Sequence, residues 1–270
     1  MMKSFNRREM ITAGAASLLG TGLLCREVQG REITTQNFDS WIYTKIDPVK
    51  AAGLAYEIYP EGSCMYAVIR ALLTTVADAL QTIYPMAATV MMQFPFHMLG
   101  YGHGGIGGTG SACGAFNGGA AVTGLFVKDA TRRDMMIQEL ASYYENMELP
   151  TFKPKDDPFP SMEKSVSESL LCHVSSGRWR AVANANMLSP RRVDRCRRLA
   201  ADITTKTAEL LNRQHTDTTC AIVGLTQPTA TCVDCHGPKG TQADSIGTMN
   251  CASCHEHDEK HSNLYFNLKK

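Results

Sequence analysis

The sequence lacks an excess of charge of either sign, with 27 Lys and Arg against 26 Asp and Glu. Nothing therefore steers the molecule onto nucleic acid or an anionic membrane surface, and no nucleic-acid partner is expected. An N-terminal hydrophobic run long enough to cross a bilayer is also missing. Met10 to Leu24 is the apolar stretch there, about 15 residues against the roughly 20 that span a membrane, so no permanent anchor is expected. Strand-like alternation is nearly absent, which excludes a β architecture and leaves a mainly α chain. No nucleophile–base pair is readable, and the glycines from Gly102 onward do not follow a strand, which argues against a dinucleotide fold. Catalysis is thus the less favoured reading. What is present is 44% apolar residues over 270, enough for one large or two modest domains.

The first thirty residues read as an address rather than as fold. A basic opening with the pair Arg7-Arg8 precedes the diluted apolar run. Asn6-Arg7-Arg8-Glu9-Met10-Ile11 looks like a twin-arginine export signal, so residues 1–30 are expected to be removed and the protein to work in the periplasm. Cleavage after Val28-Gln29-Gly30 would discard Cys25 and leave the mature chain close to neutral.

From there to His215 the spacing predicts a helical bundle, residues 31–215. Val68, Ile69, Leu72, Val76 and Leu80 give one helical stripe between Cys64 and Tyr84. The glycine-dense run from Gly100 to Gly119 must bend sharply or bring backbone very near something. A small-residue helix follows from Ala112, another covers Thr131 to Met147, and Pro150 to Pro160 is a linker where no helix persists. Ser161 to Val174 is expected to start a further helix. Ser189-Pro190 carries the signature of a helix start before Val193, Leu199, Ile203, Leu210 and Leu211. The basic cluster Arg191-Arg192, Arg195 and Arg197-Arg198 on that helix is expected to be a solvated face, with a docking patch for an acidic partner as the alternative.

After His215 the composition turns polar and cysteine-rich, and residues 216–270 hold too little aliphatic material to build a core unaided. Cys232-Val233-Asp234-Cys235-His236 and Cys251-Ala252-Ser253-Cys254-His255 are two copies of the c-type haem attachment motif. On one helical turn, thiols at i and i+3 reach two vinyl groups, and the histidine at i+4 falls under the iron. Two covalent haems per chain are therefore expected, with His236 and His255 as proximal ligands, in a loop-rich segment organised by the haems. The competing reading is a zinc ribbon, since Cys-x2-Cys-x15-Cys-x2-Cys also fits the four thiols. Histidine directly after both pairs, and an exported chain, weigh against zinc. For the sixth ligands, His103, His215 and His173 are the candidates; His257 lies too close to His255 to cap the same iron.

Outside the tail, Cys64, Cys113, Cys172 and Cys196 fall on four helices, and four thiols converging in a bundle could hold an iron–sulfur cluster. Small buried side chains or disulfides remain the plainer alternatives. Gly62-Ser63-Cys64, the run from His103 through Gly110-Ser111-Ala112-Cys113-Gly114-Ala115 to Gly119, then Cys172 and Cys196, resemble the redox-active proteins named for a C, GCAxxG, C, C pattern. The central motif departs from that pattern, with alanine before and glycine after Cys113. Such a domain joined to a two-haem tail is similar to the split-Soret cytochromes c. The resemblance implies a mainly helical homodimer with two closely stacked haems per subunit and a cluster suspected at those four cysteines. The expected function is electron transfer between redox protein partners. A multihaem reductase with one open haem site and a zinc-ribbon binding module are the alternatives.

Overall fold

The structure is a computed structural model that describes residues 41–216, 227–243, 245–253 and 255, all within one unit spanning Asp39–Lys270. The export signal expected at 1–30, together with Cys220, Cys254, His257 and His261, lies outside the described residues.

The longest element, α1 (Pro48–Leu80), starts where Asp47 accepts from the backbone N–H of Val49 at 2.8 Å and of Lys50 at 3.3 Å, with Pro48 in the first turn. It breaks at Gly62 and Ser63, the latter at φ 67°, so that a fresh helical segment begins at Cys64. The predicted stripe is buried: Val68, Leu72 and Val76 are fully covered, each worth about 1.5–3 kcal/mol of burial. An 18-residue window of α1 is apolar enough to cross a membrane, yet 72% of it is buried inside the fold, which makes it the core helix.

Next come α2 (Pro85–Met92) and a 3-10 turn (Phe96–Gly102). The glycine loop leads into α3 (Gly114–Phe126), and α4 (Ala130–Asn146) follows with Asp129 capping it through the Arg132 N–H at 2.8 Å. α1 packs chiefly on α6 (Pro190–Thr216), and α3 lies across both. Small residues permit that approach. A Cβ on Gly118 would stand 3.1 Å from Val68 of α1, and one on Gly119 would stand 2.6 Å from Thr207 of α6. The only named strands among the described residues, β1 (Glu148–Leu149) and β2 (Ser165–Val166), form one short antiparallel pair. The mainly helical expectation holds.

Two local expectations are corrected. No helix starts at Ser161; α5 spans Cys172–Ala183. The backbone ahead of it is already committed, because Leu170 accepts from the Cys113 N–H at 2.8 Å, the Cys172 N–H donates to Ser111 at 2.7 Å, and Ser167 and Ser169 bond locally. The arginine run of α6 is not a solvated face. Arg195 and Arg198 are 2% and 1% exposed. Arg198 donates to Asp194 at 2.6 Å and to both carboxylate oxygens of Asp157. A buried guanidinium needs such carboxylates, and they come from α6 itself and from the proline-rich linker, which spacing does not reveal.

Candidate functional site

The four dispersed cysteines meet. Cys64, Cys113 and Cys196 are buried and Cys172 is half-buried, and none forms a disulfide. Cys196 is the common electrostatic neighbour of the other three, and Cys113 also neighbours Cys64 and Cys172. Three of the four open helices: Cys64 follows the α1 break, Cys113 caps α3 and Cys172 begins α5. Helix N-termini carry partial positive charge and free N–H groups, and those of Ala115 and Phe116 are directed at the Cys113 sulfur.

The glycine loop makes this convergence possible. Gly104, Gly105, Gly107, Gly108 and Gly110 all have left-handed φ between 55° and 80°, and a Cβ on Gly105 would come 2.7 Å from that of Cys172. The loop backbone is thus wound directly against the first turn of α5. Gly114, the departure from the family pattern, has the Gly102 carbonyl where its Cβ would go.

Burial pushes these thiols up: Cys172 reaches about 12, and Cys64 and Cys113 rise for the same reason. Free, they are neutral; bound metal would have to displace their protons. Four further residues, which the cysteine pattern did not identify, surround the sulfurs. Tyr59 Oη lies 3.5 Å from Cys64 Sγ, and Arg192 and Arg195 each direct Nη1 at Cys196 Sγ, at 3.9 and 4.0 Å. The Tyr144 hydroxyl lies beside Cys113 and Ser175 without a hydrogen bond of normal geometry. The signal in the sequence was the i, i+4 spacing of Arg192 and Cys196. Among the described residues no three His, Cys, Asp or Glu side chains gather tightly enough to hold a single metal ion.

In the tail, α7 (Gln227–His236) carries Cys232, Cys235 and His236 at i, i+3 and i+4 on its last turn. The second motif turns likewise: Cys251–Ser253 is a 3-10 turn and the His255 N–H donates to the Cys251 carbonyl at 3.0 Å. Cys254 lies outside the described residues. The Cys251 thiol donates to the Met249 carbonyl at 3.5 Å and has the Cys232 thiol as an electrostatic neighbour, so the first sulfurs of the two motifs lie near each other. Only Thr229 and Gly237 are buried among the described tail residues. The tail meets the bundle where the Asn250 N–H approaches the Glu145 carboxylate at 3.4 Å, one residue beyond Tyr144; burial raises the pKa of Glu145.

The three histidines proposed as sixth ligands do not share one place. His103, in the glycine loop, and His173, on the first turn of α5, are exposed, with Nδ1 2.9 Å from the Gly100 and Gly110 carbonyls respectively. That contact fixes the ring and turns Nε2 outward, the orientation in which metal-binding histidines generally present a ring nitrogen. His215 stacks edge-on to Tyr43 at 5.8 Å, near the far end of α6. At 1.5 Å per residue it stands about 28 Å along the helix from Cys196.

Residues 64–210, more than half of the chain, match the family described as "Putative redox-active protein (C_GCAxxG_C_C)", and the match contains all four buried or half-buried cysteines. The sequence is 29% identical to "Split-Soret cytochrome c" of Desulfovibrio desulfuricans (strain ATCC 27774 / DSM 6949 / MB), over 98% of this chain and 99% of that one. A solved structure reported as "A novel iron centre in the split-Soret cytochrome c from Desulfovibrio desulfuricans ATCC 27774" is similar with a TM-score of 0.72 and 29% identity, covering 84% of this chain and 95% of that one. Its pattern of cysteines and its matched length place this chain in the C_GCAxxG_C_C family of redox-active proteins, as a homologue of split-Soret cytochrome c.

Proposed function

We propose that this protein is a periplasmic dihaem c-type cytochrome that transfers electrons between redox partners. The observation that carries the reading is the pair of Cys-x-x-Cys-His motifs, the first set on one helical turn and the second on a tight turn, in a segment with almost no core of its own. Cys232 and Cys235, and Cys251 and Cys254, would hold two haems; His236 and His255 would be the proximal ligands. His103 and His173, oriented through Nδ1, are favoured over His215 as sixth ligands. Cys64, Cys113, Cys172 and Cys196 would hold an iron–sulfur core, since all four thiols are electrostatic neighbours inside the bundle. Bound haem and cluster would supply reversible one-electron chemistry at iron.

The chain's own residues prepare for these groups in identifiable ways. Three helix starts and two guanidiniums favour anionic sulfur at the four-thiol site, and burial excludes water from it. The Glu145 contact ties the segment just before the second motif to α4. Exposed apolar side chains along one segment, including Ile83, Tyr84, Met86, Met98 and Tyr101, support a homodimer.

Ultraviolet–visible and electron paramagnetic resonance spectra of the purified protein, oxidised and reduced, test this reading. Low-spin six-coordinate haem with an additional iron–sulfur signal is expected. High-spin haem that binds carbon monoxide directly would select the open-site reductase, and zinc without colour would select the ribbon. Sedimentation should give a dimer. For the export route, an Arg7→Lys/Arg8→Lys variant should stay in the cytoplasm with iron and sulfide already in the helical domain. Metal-free protein there would refute loading before export.

A further inference from the structure

We infer that Arg195 is the fixed counter-charge of an anionic centre held by Cys64, Cys113, Cys172 and Cys196, an inference that rests on the reading above that these thiols carry an inorganic core. Arg195 is 2% exposed and has no carboxylate within ion-pair distance among the described residues. Its polar contacts are Nη2 to Ser175 Oγ at 2.8 Å and Nη1 to Cys196 Sγ at 4.0 Å, and its Nε has no partner. Asp202, which feels Arg195 electrostatically, is already held by the Thr151 hydroxyl and by the N–H groups of Thr151 and Phe152. Arg198, one turn further along the same helix, shows the contrast: it has two carboxylates.

A buried guanidinium without an anion is among the costlier arrangements a fold can contain. Besides the Ser175 hydroxyl, and Asp202 beyond ion-pair distance, the groups around Arg195 are the Cys196 and Cys113 sulfurs and a second orphaned donor, the Tyr144 hydroxyl. Neutral thiols do not offset the charge. Four thiolates around a metal–sulfide core do, because such a core is net negative and gains a further negative charge on reduction. Arg195 should therefore favour the reduced form and raise the reduction potential. It should also make the loaded fold more stable than the empty one by more than metal binding through the cysteines alone provides.

The test compares full-length wild type, Arg195→Met and Arg195→Lys, each loaded and after removal of the iron by chelation. Met keeps the volume and removes the charge; Lys keeps the charge. In Arg195→Met the ratio of reduced to oxidised centre at fixed ambient potential should fall at least tenfold, about 59 mV for a one-electron couple. Arg195→Lys should hold near the wild-type value. Iron removal should lower the melting temperature less in Arg195→Met than in wild type, whereas a merely structural arginine would leave that difference unchanged. Should Arg195→Met fail to fold, Arg195→Gln serves the same comparison. Non-haem iron and sulfide present with an unmoved potential of that centre overturn the counter-charge role and leave the cluster reading standing; wild type without non-haem iron or sulfide overturns both.

Discussion

Gly114→Ala would restore the alanine that the family pattern places after its central cysteine, and this fold should reject it. Two effects oppose each other. Replacing glycine by alanine in a helix gains up to about 1 kcal/mol, and less here, because Gly114 is the first residue of α3. Against that, the new Cβ would run into the Gly102 carbonyl and stand 3.3 Å from the Cys64 Cβ. The first obstacle is backbone, which cannot rotate away as a side chain could, and overpacking of this kind costs about 1–3 kcal/mol. The expected net loss is about 1–2 kcal/mol. At roughly 2–4 °C per kcal/mol for a domain of this size, the melting temperature should fall by about 2–8 °C. Thermal denaturation followed by circular dichroism on the loaded protein measures it. The cluster spectrum should change in parallel, since Gly114 separates Cys113 from the rest of α3. A variant that melts higher than wild type, with an unaltered spectrum, would refute the argument that Gly102 and Gly114 are in obligate contact.

Other consequences follow from the same packing. Arg198→Ala leaves the buried Asp194 with the Tyr56 hydroxyl but no cation and should cost about 3–5 kcal/mol in chemical denaturation; a loss below ~1 kcal/mol would show that Asp194 finds another cation. Glu139 pays for burial, but Arg213 and Lys206 hold its carboxyl below the usual range. A carboxylate depressed in the fold stabilises it above the ordinary glutamate value of about 4.3 and loses that contribution as pH falls through the folded value. The gap in melting temperature between wild type and Glu139→Gln should accordingly be widest near neutral pH and close below pH ~4; a gap independent of pH would contradict the assignment. Tyr59→Phe removes the hydroxyl at Cys64 and should cost about 0.5–1.5 kcal/mol with a shifted cluster spectrum; a shift in stability alone would place Tyr59 outside the centre's influence.

Much of the helical layout was legible because burial imposes a period. Val68, Ile69, Leu72, Val76 and Leu80 repeat at helical spacing and all are buried. Ser189 at the head of α6 was equally plain, and its hydroxyl accepts from the Arg191 N–H at 3.2 Å. What spacing could not carry was tertiary. Nothing local told that α5 waits until Cys172, because the carbonyls and N–H groups ahead of it bond to residues some sixty positions away, at Ser111 and Cys113. The arginines of α6 looked like any solvated face, and only the fold reveals that Arg198 meets Asp157 and Arg195 meets sulfur. The cysteine pattern singled out the four thiols that the fold brings near one another but not the two tyrosines and two arginines around them, whose types are common and whose sequence positions are scattered.

The most direct test of the account is the intact mass of the exported chain, together with a pyridine haemochrome assay on the same sample. The account requires two porphyrins joined covalently to each polypeptide, through Cys232 and Cys235 and through Cys251 and Cys254. A polypeptide of unmodified mass with no haemochrome would contradict it.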